Sequence, residues 1–116
     1  MKKAFTLPTC KTCVRIFEDL QPEKKGCEII DIKAQGISPE DLDKMKELAG
    51  SFEALFSRRA MKFRSMGLGD RVLTETDYRE LILEEYTFLK RPVFLFDDRV
   101  TVGSSKSEVE TARQCL

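Results

Sequence analysis

Histidine is absent from the chain. That removes the Ser-His-Asp and Cys-His nucleophile pairs, the HExxH zinc site and every His-ligated metal centre. A nucleophile in this protein has to be activated by backbone dipoles, arginine or lysine. An excess of charge is absent too: 20 Lys and Arg face 20 Asp and Glu. No bulk positive charge points to nucleic acid or to a membrane surface as a partner. No apolar run is long enough to span a bilayer. The apolar stretch after Met1-Lys2-Lys3 ends at Pro8, too short for a signal peptide. No repeat, linker or low-complexity segment divides the 116 residues. The expectation is one domain spanning 1–116 with a single core, in the cytoplasm.

What the chain does contain is Thr9-Cys10-Lys11-Thr12-Cys13, a Cys-x-x-Cys pair between a short apolar run, Ala4 to Leu7, and a helical pattern. If Ala4 to Leu7 is a strand, Pro8-Thr9 is the turn and Cys10 sits at the mouth of the next helix. Backbone N–H groups at a helix N-terminus have no partner within the helix. Together with the helix dipole they favour thiolate over thiol. Cys13, one turn deeper on the same face, is placed to attack a bond formed on Cys10. Strand, CxxC, helix is the thioredoxin-like redox order. Two other readings stay open: a zinc half-site, which needs two further ligands, and two small buried hydrophobes. Cys27 and Cys115 lie on apolar faces and are expected to pack.

Further along, Cys13, Ile16, Phe17 and Leu20 form one helical face, and Gln21-Pro22 stops it. Cys27 to Ile32 is rich in β-branched residues and reads as a second strand. Ser38-Pro39-Glu40-Asp41 is a helix start, with Leu42, Met45, Leu48 and Ala49 inward and Gly50 as the stop. Ser51 caps a short helix through Phe52, Leu55 and Phe56. Arg58 to Arg64 continues at helical spacing, with Phe63 and Met66, until Gly67 and Gly69. Thr74 opens another helix. Residues 38–89 therefore read as an all-helical insert. Val93–Phe96, a turn at Asp97-Asp98 and Val100–Val102 read as a hairpin. Ser105-x-x-Glu108 has capping-box spacing and opens the last helix. The order is β-α-β, helical insert, β-β-α: an α/β, thioredoxin-like fold.

Two basic clusters are candidates for anion binding. Arg58, Arg59, Lys62 and Arg64 fall within seven positions. Such a run is commonly a solvated face. Arginine is also the natural ligand of a tetrahedral oxyanion, and a cation beside Cys10 lowers its pKa. Arg91-Pro92 precedes the third strand, either as a trans proline that starts the strand or as a cis proline that aims Arg91 at Cys10.

Pro8-Thr9-Cys10-x-x-Cys13, Ser57-Arg58-Arg59 with Phe63 and Gly67-Leu68, Leu89-Lys90-Arg91-Pro92-Val93, and Val102-Gly103 occur in this order over nearly the full chain. In this set the chain resembles the arsenate reductase ArsC / Spx family. The resemblance implies a thioredoxin-like fold with a helical insertion after the second strand, acting as a monomer. It implies Cys10 as nucleophile on an oxyanion or disulfide, Arg59 and Arg91 as catalytic arginines, and Pro92 as a cis proline. Arg58 neighbours Arg59 in the same anion-binding role. Lys106 stands near the start of the last helix, where the reductases carry a third arginine. The implied reductant is glutathione or another thiol, with glutaredoxin or thioredoxin as protein partner and no bound cofactor or metal. The Spx branch implies instead a Cys10–Cys13 disulfide switch on a regulator that binds RNA polymerase.

Overall fold

The computed structural model describes all residues, Met1–Leu116, and divides them into two compact units: Met1–Gln35 with Arg91–Leu116, and Gly36–Lys90.

The first unit is built on a four-stranded sheet of β1 (Lys2–Thr6), β2 (Glu28–Asp31), β3 (Val93–Phe96) and β4 (Val100–Val102). Its strand order is β2-β1-β3-β4. β1 and β2 run parallel, with Phe5 opposite Ile30. β3 runs antiparallel to β1, with Ala4 opposite Phe94, and β4 antiparallel to β3. The parallel pair needs a crossover, supplied by α1 (Lys11–Leu20). α1 ends because Gln21 turns into the left-handed region at φ 51° and Pro22 cannot continue a helix. Ile16 and Leu20 of α1 join Ala4, Cys27, Phe94, Phe96 and Ala112 in one buried cluster, with Phe17, Val109, Cys115 and Leu116 packed against it. Ala112 and Val109 come from α5 (Lys106–Cys115). Arg113 of α5 closes a 2.6 Å ion pair onto Asp19 of α1.

The hairpin and the last helix each differ from the sequence expectation. The β3–β4 turn takes in Asp97, Asp98 and Arg99, closed by the Phe96 N–H on the Arg99 carbonyl. At α5, Ser105 Oγ accepts the Glu108 N–H as expected. The Glu108 carboxylate does not complete the box. It accepts the Val102 N–H at 3.0 Å instead. β4 is an edge strand, so it has N–H groups without a ladder partner, and one of them captures this acid. Strand β2 is also shorter than the run Cys27 to Ile32, since Cys27 and Ile32 flank it.

The second unit contains α2 (Pro39–Ala49), α3 (Met61–Ser65) and α4 (Glu75–Glu84), joined by short 3-10 turns. Ser38 Oγ accepts the Asp41 N–H at the start of α2, and Gly50 ends it at φ 102°. Thr74 and Asp77 exchange two hydrogen bonds in a full capping box at α4. Helix α3 begins later than the sequence spacing predicts. Arg58 and Arg59 precede it, because the backbone at Phe56 is extended. Phe56 pairs there with Leu89 in an isolated antiparallel bridge, flanked by Ser57 N–H on the Phe88 carbonyl and Lys90 N–H on the Leu55 carbonyl. The Phe56 ring lies 4.9 Å from both Phe88 and Tyr78 and 6.1 Å from Phe63.

Phe56 is 1% exposed and centres this cluster, so Phe56→Ala should destabilise the protein by about 3–5 kcal/mol. Thr74→Ala, which removes only a cap, should cost about 1 kcal/mol. Urea unfolding with unchanged slope measures both. Equal losses at the two positions would mean that the aromatic cluster does not hold this unit together.

Candidate functional site

Cys10 follows β1 across Pro8 and Thr9, both exposed. Its N–H donates to the Leu7 carbonyl at 2.9 Å, which closes the turn, and its carbonyl accepts the Val14 N–H at 3.0 Å, which starts α1. Cys10 is thus the N-cap, with extended backbone at φ −88° and ψ 111°. No oxygen side chain takes the free amides of the first turn. The Cys10 side chain makes no cap hydrogen bond either, but the backbone of Thr12 and Cys13 and the Cys13 thiol lie where they favour a negative charge on its sulfur.

The two sulfurs are driven in opposite directions. Burial pushes the Cys10 thiol up. The Cys13 N–H, the Cys13 S–H, the charge of Arg91 and the Thr12 N–H together outweigh it, and the Cys10 pKa is lowered. Cys13 is fully buried. Burial raises its pKa, and donation to Cys10 and the negative charge there raise it further, against hydrogen bonds from the Leu7 N–H and the Thr6 hydroxyl. The half-exposed Cys10 sulfur is therefore the more readily ionised of the two, and the buried Cys13 the less. Cys27 is pushed up to about 11, mainly by burial. Cys115 is packed against the core cluster.

The Arg91-Pro92 peptide is cis. The Pro92 carbonyl accepts the Gly103 N–H at 2.9 Å, which ties the start of β3 to the end of β4. Arg91 is half-buried, its Nε is closed off from solvent, and its charge acts on Cys10.

Arg58 and Arg59 belong to the second unit. Arg58 Nη2 donates to Glu53 Oε2 at 2.9 Å and to Tyr78 Oη at 2.7 Å, and its guanidinium lies 5.6 Å from the Tyr78 ring centroid. Arg59 is exposed. Lys106 is the first residue of α5, also exposed. Sequence reasoning missed Thr6. A buried hydroxyl at the end of a strand, directly before the CxxC turn, was the available signal.

A helix-capping cysteine with a lowered pKa, a buried second thiol one turn deeper with a raised one and a guanidinium charge make a site suited to attack on sulfur or on an oxyanion centre. The sequence profile of the ArsC family matches residues 5–112. The uncharacterized protein YusI of Bacillus subtilis (strain 168) is 28% identical over 106 residues, covering 89% of this chain and 90% of YusI. The global transcriptional regulator Spx of Lactiplantibacillus plantarum is 23% identical, covering 90% of this chain and 80% of the regulator. Among solved structures, the arsenate reductase from Vibrio cholerae superimposes with a TM-score of 0.79 at 15% identity, covering 99% of this chain and 97% of that one. The YFFB (PA3664) protein superimposes with a TM-score of 0.81 at 25% identity, covering 97% and 98%.

The lowered Cys10 pKa has a direct readout. Alkylation by iodoacetamide, followed against pH with mass-spectrometric site assignment, should modify Cys10 first, with a midpoint below the ordinary cysteine value of about 8.5. Arg91→Ala should move that midpoint up, because it removes a cation that favours the thiolate. Earlier modification of Cys27 than of Cys10 at neutral pH would show that the site is misassigned.

Proposed function

The chain belongs to the ArsC family, and from that premise we propose that it is a thiol-dependent oxidoreductase with Cys10 as nucleophile. The observation that carries the reading is Cys10 at the N-cap of α1, where the backbone of Thr12 and Cys13, the Cys13 thiol and the charge of Arg91 lower its pKa. On a disulfide substrate, the Cys10 thiolate attacks one sulfur and forms a mixed disulfide, and the other sulfur leaves as a thiolate. Cys13, after losing its proton, attacks the Cys10 sulfur. The second substrate thiolate leaves, and a Cys10–Cys13 disulfide remains. Two external thiols, from glutathione or from a glutaredoxin- or thioredoxin-type partner, then return the pair to the dithiol.

On arsenate, the Cys10 thiolate forms a sulfur–arsenic bond and hydroxide departs, protonated to water. A second thiol attacks the Cys10 sulfur. The electron pair of the sulfur–arsenic bond passes to arsenic, which leaves as arsenite. Arg59 and Arg91 are proposed to hold the anion, with Arg58 and Lys106 as further cationic contacts and Pro92 shaping the wall beside the thiol. The reaction requires no bound cofactor or metal and one copy of the chain. A reducing compartment such as the cytoplasm keeps the resting dithiol reduced.

A second reading is favoured by the likeness to Spx and by the presence of Cys13. In it, Cys10–Cys13 oxidation is a switch that alters docking to RNA polymerase. Variants separate the two. For a reductase with an external thiol, Cys13→Ser should keep turnover of arsenate within about tenfold, while Cys10→Ser abolishes it. Arg91→Lys, which keeps charge but loses the bidentate fork, should lower it by about tenfold or more. For a switch, no variant turns over arsenate, and Cys13→Ser abolishes the dithiol–disulfide transition in glutathione buffers. Wild-type protein with neither turnover nor that transition would overturn both readings.

A further inference from the structure

Residues 58–71 concentrate positive charge in a chain whose net charge is zero. The segment holds Arg58, Arg59, Lys62, Arg64 and Arg71 against a single acid, Asp70. The same segment and its continuation expose large apolar side chains: Met61 is 89% exposed, Val72 96% and Met66 45%. These are the most conspicuous apolar side chains that the second unit leaves in water. Met61 lines an open cavity of about 840 Å³ within that unit, with Arg58, Arg59 and Arg64 on its wall beside Phe63 and Asp70.

Its shape is held from beneath. The Phe63 ring packs on Phe56 and also lies 3.7 Å from where a Cβ on Gly69 would sit. Gly67 turns the chain at φ 67° after α3. The cationic wall is set as well, because Glu53 and Tyr78 grip the Arg58 guanidinium. The exposed groups are methionines, which adapt to varied apolar surfaces, and arginines, which bind carboxylates through two parallel hydrogen bonds. Exposed apolar side chains rimmed by charge of one sign mark an interaction surface.

We propose that this face of the Gly36–Lys90 unit docks an acidic protein segment, seating one or two of its apolar side chains in the cavity against Met61 and Phe63, with its carboxylates on Lys62 and Arg64. The chemistry selects a polypeptide over a nucleic acid. The exposed apolar groups are methionine and valine, not the aromatic platforms on which bases stack. Basic residues also stop at Arg71, where Glu75 and Asp77 follow, too short a track for a phosphate backbone. This inference does not rest on the thiol chemistry. It stands whether the chain is a reductase or a switch.

The full-length protein tests it by fluorescence anisotropy with a fluorescein-labelled twelve-residue peptide that alternates Glu or Asp with Leu and Phe. Three controls accompany it: the same peptide with lysine for every acid, the same peptide with serine for every apolar residue, and a twelve-base-pair DNA duplex. The acidic amphipathic peptide should bind at least tenfold more tightly than each control, and more weakly as salt rises. Arg64→Glu should weaken it about tenfold and Met61→Ser at least threefold. Both residues are exposed, so circular dichroism should show both variants folded, and arsenate or disulfide turnover should be unaffected. Amide shifts on a ¹⁵N-labelled sample should fall within residues 56–72. Tighter binding of the duplex would assign the face to nucleic acid and overturn the proposal. Equal binding of the lysine or serine peptide, indifference to Arg64→Glu, or shifts centred on another segment would overturn it as well.

Discussion

The electrostatic coupling between the buried Cys13 thiol and the Cys10 sulfur is the interaction on which the rest of the site depends. Two thiols side by side are symmetrical until something makes one a donor and the other an acceptor. Here the core breaks the symmetry. Cys13 faces inward from α1 and is fully buried, so burial opposes its ionisation. Cys10 caps the helix, where amides and Arg91 favour the anion. Packing at Cys13 thereby becomes electrostatics at Cys10. The same turn of helix that fills the core aims the nucleophile outward.

The second unit achieves order by other means. It has no sheet of its own and makes its only strand-like pairing at Phe56 and Leu89. Stability there comes from the rings around Phe56 and from carboxylates used as caps. Glu75 accepts both the Phe52 N–H at 2.6 Å and the Glu53 N–H at 3.1 Å, and Arg79 clasps Asp43 from α4 to α2. Because Phe56 is pinned in extended backbone, Ser57 to Ala60 leave the cluster as an irregular segment. That segment carries Arg58 and Arg59.

Patterns local in sequence were legible. The CxxC between a strand run and a helical face placed Cys10 at the cap, and Ser38-Pro39 with Gly50 bounded α2 closely. The cis Arg91-Pro92 bond was legible through the family resemblance, since an X-Pro pair alone does not choose its isomer. Destinations of side chains were not legible. Nothing near Arg58 in sequence indicates that Tyr78, twenty positions on, receives its guanidinium. The Thr6 hydroxyl reaches Cys13 through space, across the turn. Glu108 satisfied the spacing of a box and went to Val102, because an edge strand with an open N–H competes for a carboxylate and no local rule knows where the edge lies. The onset of α3 was misjudged for a similar reason: the extended backbone at Phe56 is imposed by its partner Leu89, and helical spacing alone cannot register that.

The Glu108 carboxylate at the end of β4 has a consequence for how molecules of this protein meet one another. A sheet of order β2-β1-β3-β4 ends in two strands whose outer backbone is open to recruitment by a foreign strand. Both are short, four residues and three. On β2 the strand begins and ends with acids, Glu28 and Asp31. On β4 a covalently attached carboxylate already occupies the Val102 amide, so an incoming chain would have to displace it and bury its charge. The sheet thus carries its own guard against continuing into the next molecule, and α5 delivers that guard while its other face packs the core.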